Sequence, residues 1–221
     1  MKIITRIVNL CMIILFVAGA VHAQQPKQAF VERSDPDAIK ILKKIQNVYG
    51  AYDGIALNYT LEMEYGEDKE VQKGSILQQG KKYSINNNGN LIINDGSTVW
   101  MYIKKQNEVQ INDYVEEDDE FTPTKIFSLG ENNDFVYVIT NNDSQGYHIE
   151  FKPRDRDSEI KKVRLLVDRS QKYIKSVKVF SEDGSRMTFL IKDIKNTKPS
   201  SSSFSFNKAK YPGVVEIDLR D

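Results

Sequence analysis

The sequence has almost no cysteine or histidine: Cys11 is its only cysteine, and His22 and His148 are its two histidines. Cys11 and His22 lie in a leader that we expect to be removed. Residues 24–221 then hold no cysteine, which excludes disulfides and a cysteine nucleophile. A zinc site built on two histidines or a thiolate is excluded as well. The sequence indicates no catalytic residue, no metal site and no cofactor.

An excess of either charge is also missing, because 31 Lys and Arg residues balance 31 Asp and Glu residues. Nucleic-acid-binding proteins usually carry a net positive charge that neutralises phosphates, so this class of partner is excluded. Removal of Lys2 and Arg6 with the leader leaves 29 basic residues against the same 31 acidic ones. The charge balance therefore indicates no attraction to an anionic membrane surface.

Residues 1–23 have the pattern of a secretory signal peptide. Lys2 and Arg6 supply a positive start, an apolar run follows over 7–20, and Val21-His22-Ala23 resembles a cleavage site. The apolar run of about 14 residues is shorter than the roughly 20 that a membrane-spanning helix needs. An uncleaved anchor is the less favoured alternative. We expect a single soluble domain over 24–221.

One helix is predicted directly after the leader. Asp35 is a suitable N-cap, Pro36 suits the first helical position, and Gly50 and Gly54 bracket the exit. Apolar residues recur at helical spacing on one face. They are Ile39, Leu42, Ile45, Val48, Tyr49 and Tyr52.

From Ile55 to Tyr65 the apolar period becomes two, which predicts a half-buried strand. Short apolar runs separated by turn pairs such as Asn88-Gly89 and Asp183-Gly184 continue the pattern and predict an antiparallel sheet of about 11 strands. The further strands are predicted at 71–79, 82–86, 91–94, 98–104, 108–111, 135–140, 147–153, 160–167, 173–180 and 187–194, with a short last one at 214–219.

The predicted sheet is too wide for the predicted helix to cover. Eleven strands at about 4.8 Å spacing span roughly 50 Å, whereas a helix covers about 10–12 Å. The sheet must therefore curl on itself. Its lumen is then packed by side chains, filled by a ligand or left partly hollow, and this geometry favours a hydrophobic binding pocket over a solid core.

Several stretches, in order and spacing, resemble the periplasmic outer-membrane lipoprotein carrier family, LolA, across nearly the whole mature length. A strand after a tight turn is similar to the family's "DGKTLWxY" strand, and the end of the chain is similar to its "F-x-F … P-x-G-V-x-V" close. The stretches are Lys73–Leu77, Lys82–Ile85, Asp95–Tyr102, Thr122–Leu129, Phe204–Phe206 and Pro212–Glu216.

The resemblance implies an incomplete (half) antiparallel β-barrel, mainly β with helices, and a helical lid over a concave hydrophobic face. It also implies a non-enzymatic periplasmic chaperone that shields lipoprotein acyl chains in a cavity and carries them from the inner to the outer membrane. The implied partners are acylated lipoproteins, an inner-membrane lipoprotein-releasing ABC transporter and an outer-membrane acceptor. We expect a monomer.

The chain departs from the family at one position. Studied members have an arginine in the first strand pair that hydrogen-bonds the lid shut, whereas the corresponding stretch, Leu77–Lys81, has none. Lys81 or Lys82 is a candidate substitute, although lysine lacks the planar fork of arginine.

Candidate site residues follow from these patterns. Trp100 and Tyr102 face one way along their strand and Val99, Met101 and Ile103 the other, so both faces are apolar, which fits either a cavity or a crossing element on one side. Ile126, Phe127 and Leu129 are the predicted lid contacts, with an ordinary packing turn as the alternative. The acyl-cavity candidates are Leu61, Met63, Trp100, Met101, Tyr102, Val138, Phe151, Leu165 and Phe189.

Two polar features have plainer interpretations than catalysis. The acidic run 116–120 lacks the spacing of an EF-hand calcium loop, which favours a solvated loop. His148 and Glu150 alternate on one strand, but no second histidine or nucleophile accompanies them. The sequence leaves two functions open: a lipoprotein carrier, and a secreted module that binds another amphiphile, a glycan or a protein. An enzyme is the weakest alternative.

Overall fold

The structure, a computed structural model, describes residues 33–115 and 134–220. Three of the features expected above therefore lie outside the described residues. They are the signal peptide 1–23, the acidic run 116–120 and the lid contacts Ile126, Phe127 and Leu129.

The predicted helix is confirmed as α1 (Pro36–Gly50). The Asp35 carboxylate accepts a hydrogen bond from the Asp37 N–H at 2.8 Å, and Pro36 begins the helix. The buried stripe is rotated from the predicted one, because Ala38 and Ile41 are buried while Ile39 and Val48 are half-buried at its border. Within the described ranges, no helix has the length and apolarity needed to cross a membrane.

Twelve strands form one sheet, and each predicted strand is confirmed with ends that differ by at most three residues. The strands are β1 (Ile55–Tyr65), β2 (Asp68–Gln79), β3 (Lys82–Asn87), β4 (Asn90–Asn94), β5 (Thr98–Ile103), β6 (Glu108–Asp113), β7 (Phe135–Asn142), β8 (Tyr147–Pro153), β9 (Ile160–Val167), β10 (Ile174–Ser181), β11 (Arg186–Asn196) and β12 (Val215–Asp218).

The strand order is β12-β6-β5-β4-β3-β2-β1-β11-β10-β9-β8-β7. The long strand β1 lies near the middle and pairs with β2 on one side and β11 on the other. Two meanders extend from it in opposite directions, and β7 and β12 are the two edges of the sheet among the described residues. The sheet is therefore open, as the half-barrel prediction requires.

The meander turns set the register of the strands. Asn88 and Gly89 form the two-residue turn between β3 and β4, with φ of 52° and 90°. A two-residue hairpin of this kind needs positive φ at both positions, which Asn and Gly tolerate best. Because the loop is tight, Ile85 and Ile92 stand opposite each other on the same face.

The two faces of the sheet are covered by different elements. The face that packs against α1, here called the inner face, holds the large cluster of buried apolar side chains. The opposite, outer face is crossed between β11 and β12 by the segment 197–214, which includes two 3-10 helices, Ser201–Phe204 and Lys208–Lys210. This crossing brings β12 alongside β6 in parallel, the one departure from the predicted antiparallel pairing among the described strands.

Candidate functional site

The inner face beneath α1 is a packed core rather than an open space. Leu42 and Ile45 of the helix are at most 4% exposed and belong to the same cluster as residues of β1 and β8–β11. The hydroxyl oxygen of Tyr49 accepts a hydrogen bond from the Ile174 N–H at 3.0 Å, which joins α1 to the start of β10. Burial raises the pKa of Tyr49 to about 12, so this hydroxyl stays neutral. The sheet residues of this core that have no exposed surface are Ile149, Phe151, Val163, Val167 and Val177.

The nine cavity candidates do not share one face. Five of them belong to the inner cluster, and a sixth, Met101, is half-buried on the inner face farther along the sheet, opposite Ile92. The five are Leu61, Met63, Phe151, Leu165 and Phe189.

The other three candidates, Trp100, Tyr102 and Val138, are on the outer face. Trp100 stands opposite Ile93 and Ile111, and Val138 stands opposite Glu150. They cannot line the same space as Leu61, because alternate residues of a strand point to opposite faces.

Trp100 and Tyr102 lie beneath the C-terminal segment. The Tyr102 ring is 4.4 Å from that of Tyr211 and 5.8 Å from that of Phe206. Phe206 and Tyr211 stack on each other at 4.9 Å. These contacts form a second, smaller core with Val109 and Val214. Of the two interpretations given for this strand, a crossing element over one of its faces is the one observed.

The inner face of β4 and β5 differs from the core under α1. Ile92, Val99, Met101 and Ile103 are all half-buried there. Among the described residues, Val99, Met101 and Ile103 belong to neither of the two clusters. This row, here called the inner apolar row, is a part of the inner face where apolar surface stays partly accessible among the described residues. A surface of this kind is suited to contact with an apolar ligand.

Polar atoms without partners lie on α1 and on the two strands that precede this row. In the described part of the chain, Gln46 Nε2, Gln78 Oε1 and Asn87 Oδ1 are buried and form no hydrogen bond. The register places Gln78 and Asn87 on the inner face of β2 and β3. An orphaned buried amide costs free energy that a hydrogen-bonding ligand removes, so these atoms are candidate contacts for a polar group of a ligand.

The structure places Lys82, one of the two candidate substitutes for the family arginine. Lys82 stands opposite Gln79 on the outer face. Burial raises the pKa of Asp95, but hydrogen bonds from Thr98 and Ser97, together with the charge of Lys82, outweigh burial and lower that pKa. Lys82 is therefore on the wrong face to close a lid over the inner face. Gln78 is the inward-facing residue of this stretch, and its Nε2 donates to the Gly80 carbonyl at 3.3 Å.

A cleft of about 530 Å³ lies on the outer face, between β3–β4 and the C-terminal segment. Leu91 and Ile93 are its apolar contributions from the sheet, and the segment contributes serines, lysines and the stacked Phe206 and Tyr211. Two of its serines, Ser202 and Ser203, contact the neighbouring Ser200 Oγ at 2.9 Å and 3.1 Å.

His148 and Glu150 do not form an acid–base pair. His148 Nε2 lies 3.1 Å from Asp143 Oδ2, whereas Glu150 accepts a hydrogen bond from Arg164 Nε at 2.9 Å. Across residues 33–115 and 134–220, no three His, Cys, Asp or Glu side chains are grouped so that they could hold a metal ion.

Three residues of the inner apolar row, Ile92, Val99 and Ile103, were not among the cavity candidates. The alternation along β5 separates Val99, Met101 and Ile103 from Trp100 and Tyr102, but it does not say which set points inward. The tight turns from β1 to β4 contain that information, because each two-residue loop fixes the register and with it the face.

Comparisons with known proteins agree with this architecture. A family model described as "Outer membrane lipoprotein carrier protein LolA" matches residues 64–207. The outer-membrane lipoprotein carrier protein of Histophilus somni (strain 2336) is 24% identical over 183 residues, which cover 80% of this chain and 86% of the relative. That of Vibrio vulnificus (strain YJ016) is 25% identical over 176 residues, which cover 76% and 85%.

A solved structure supports the fold alone. An uncharacterized conserved protein from Thermus thermophilus matches with a TM-score of 0.54 at 10% identity, covering 82% of this chain and 99% of that one. The family model spans more than half of the chain. The chain therefore belongs to the outer membrane lipoprotein carrier family, LolA.

Proposed function

We propose that this protein is a non-catalytic periplasmic carrier that shields the acyl chains of lipoproteins on the inner face of its half-barrel and moves them from the inner to the outer membrane. Membership of the LolA family supports the carrier role. The observation that carries the site is the inner apolar row on β4 and β5, where apolar side chains remain half-buried beside a filled core.

Burial of acyl methylenes supplies the binding energy. Each methylene removed from water contributes about 0.8 kcal/mol, so ten shielded carbons contribute about 8 kcal/mol before the cost of ordering the chain. A carrier must also release its cargo. A surface of a few half-buried side chains suits both requirements better than an enclosed cavity.

The predicted site residues then take different roles. Met101, with Ile92, Val99 and Ile103, contacts the acyl chains. The orphaned amide oxygens of Gln78 and Asn87 are acceptors, so they are candidate partners for N–H groups of the cargo. Leu61, Met63, Phe151, Leu165 and Phe189 form the wall beneath α1, and Ile126, Phe127 and Leu129 serve as the lid. Trp100, Tyr102 and Val138 lie outside this site.

The proposal includes the compartment and the partners. Cleavage after Ala23 releases residues 24–221 into the periplasm as a single domain that acts as a monomer. An inner-membrane ABC transporter loads the carrier with acylated lipoproteins, and an outer-membrane acceptor receives them. The carrier roles named in the Histophilus and Vibrio relatives support this assignment.

The alternative is a module that binds another amphiphile, a glycan or a protein. The observation in its favour is the outer cleft, where stacked Phe206 and Tyr211 lie near serine hydroxyls and Lys210. The two functions place the ligand on opposite faces of the sheet, which makes them separable by mapping the bound ligand.

A spin-labelled stearic acid maps the site directly. We expect it to broaden the amide NMR signals of β4–β6 in the mature protein. The change Met101→Asp places a carboxylate in the inner apolar row and should weaken binding of the probe by about tenfold or more, since charges are excluded from apolar contacts. Val71→Asp is the matched control, because Val71 is 59% exposed on the outer face.

Broadening confined to residues 202–211 would instead place the ligand in the outer cleft and support the alternative. Equal binding of the probe by the Met101→Asp and Val71→Asp variants would show that the inner apolar row does not bind it.

A further inference from the structure

A group of cations surrounds one aromatic ring on the outer face, far along the sheet from the cleft. Four cationic groups lie within 6 Å of the centroid of the Phe180 ring. They are Lys162 Nζ at 5.2 Å, Arg164 Cζ at 5.2 Å, Lys178 Nζ at 5.6 Å and Arg186 Cζ at 5.9 Å. We call these four residues and Phe180 the basic ring.

The register of β9, β10 and β11 brings the residues of the basic ring together. Lys162 of β9 and Arg186 of β11 stand directly opposite Phe180 of β10 on its two sides. Arg164 and Lys178 stand opposite each other one step along the same face. Cations on β9 and β11 therefore flank a gap of about 9–10 Å, the width of two strand spacings.

Two carboxylates lie beside the cations, on the neighbouring strands β8 and β1. Glu150 contacts Arg164 Nε at 2.9 Å and Lys162 Nζ at 3.4 Å, and Glu64 contacts Arg186 Nη1 at 3.4 Å and Lys178 Nζ at 3.8 Å. The Glu150 and Glu64 side chains are 9% and 24% exposed, whereas both arginines are 52% exposed. Four cations against two carboxylates leave an excess of two positive charges at the surface.

Repulsion between neighbouring cations makes this arrangement unfavourable in the folded protein. Like charges directly opposite each other on neighbouring strands are destabilising, and Arg164 and Lys178 are such a pair. Local arrangements that oppose folding are typical of functional sites. An anion placed over Phe180 would relieve the repulsion, and the exposed guanidinium groups of Arg164 and Arg186 have further N–H donors for a carboxylate.

The surroundings of the basic ring select the kind of partner. Exposed acidic residues border it at the end of β10 and before β9, at Glu182, Asp183 and Glu159. A uniformly anionic membrane would be repelled by this border. A protein surface with an acidic centre and a basic rim is complementary to it, and such complementarity fixes the register of docking.

We propose that the basic ring is a docking site for a protein partner that inserts acidic side chains between Arg164 and Arg186, over Phe180. This contact lies on the face opposite the acyl site, so a partner bound here leaves the inner face accessible to cargo.

The test uses the mature chain at low ionic strength with hexaglutamate as the acidic probe and hexaserine as the neutral one. Hexaglutamate should shift amide NMR signals of 162–164, 178–180 and 186–188, and hexaserine should not. The double variant Arg164→Gln/Arg186→Gln should bind hexaglutamate about tenfold more weakly or worse, because it loses both exposed guanidinium groups. Arg164→Lys/Arg186→Lys should restore part of the affinity.

A matched control separates the site from net charge. Lys40→Gln/Lys43→Gln removes the same charge from exposed positions of α1 and should bind as the unaltered protein does. The amide spectrum of each variant verifies that it is folded. Equal weakening in both double variants would overturn the proposal. Displacement of hexaglutamate by an equal concentration of inorganic phosphate, or ring-dependent binding to phosphatidylglycerol vesicles, would also overturn it, in favour of a small-anion or a lipid site.

Discussion

Single positions show how closely this sheet is packed. Gly74 of β2 stands opposite Tyr59 of β1. A Cβ at Gly74 would overlap the Tyr59 ring and would come within 2.5 Å of the Asn86 carbonyl oxygen. Burial raises the pKa of Tyr59 to about 12, which indicates how little water reaches the end of this ring. Glycine at this position is required by the space that the tyrosine fills.

We therefore expect Gly74→Ala to destabilise the protein by about 1–3 kcal/mol, the usual cost of overpacking. Gly50→Ala is the control, because Gly50 ends α1 and a Cβ there meets nothing within 4 Å. That change should be neutral or stabilising by up to about 1 kcal/mol. Urea denaturation measures both. Equal stabilities would show that Tyr59 moves aside freely.

The ionised carboxylate of Glu150 forms ion pairs with Lys162 and Arg164 on the outer face. Burial opposes its charge, but the hydrogen bond from Arg164 and the charge of Lys162 outweigh burial and lower its pKa below the ordinary value of 4.5. A carboxyl whose pKa is lower in the folded than in the unfolded protein stabilises the fold above the unfolded value. This stabilisation is lost as the pH falls from 4.5 through the lowered pKa of the folded protein.

The change Glu150→Gln should accordingly lower the free energy of unfolding at pH 7 by about 1–2 kcal/mol, because a hydrogen bond to a charged group contributes about 1.5–3 kcal/mol and a neutral one about 0.5–1.5 kcal/mol. The difference between variant and parent should shrink below pH 4.5, where the parent carboxyl also becomes neutral. Thermal unfolding between about pH 3 and pH 7 measures it. A difference that does not change with pH would contradict the assigned ion pair.

At the scale of the elements, α1 is held to the sheet at both ends. At its N-terminal end, the Asp35 N–H donates to the Tyr137 carbonyl of edge strand β7 at 2.7 Å, and Ser34 Oγ accepts from the Tyr137 N–H at 3.1 Å. At the other end, Tyr49 accepts from Ile174. The helix is therefore a fixed wall of the inner face.

Tyr49→Phe tests this attachment. Loss of the hydroxyl leaves the N–H of Ile174, which is 3% exposed, without its acceptor, so stability should fall by about 1–3 kcal/mol. Amide hydrogen exchange of Ile174 should accelerate more than that of residues in β2–β6. Tyr52→Phe, at a half-exposed ring beyond the helix, should change neither quantity.

The helix and the strands were largely predictable from the sequence. The face of the sheet to which each side chain points was not. Turn pairs such as Asn88-Gly89 and the alternation of β1 place each strand within a few residues, because both signals are local. Whether Trp100 or Met101 points inward depends on register propagated through several turns and on the path of the segment 197–214 across the outer face. The parallel pairing of β12 with β6 depends on the same crossing, and no local pattern contains it.

At the scale of the whole molecule, the sheet is open, as predicted, among the described residues. A single helix does not cover twelve strands, and the described part of the protein uses two covers, α1 on the inner face and the C-terminal segment on the outer face. The inner apolar row borders the cluster beneath α1, and its Ile92 packs against that cluster. We propose that acyl chains bind to this row.

Native mass spectrometry with a purified triacylated lipoprotein tests that claim most directly. The mature protein is mixed with the lipoprotein below its micellar concentration, and in parallel with the same polypeptide after removal of its acyl chains. The account predicts a one-to-one complex with the acylated form and none with the deacylated form. Equal binding of both forms, or binding of neither, would contradict it.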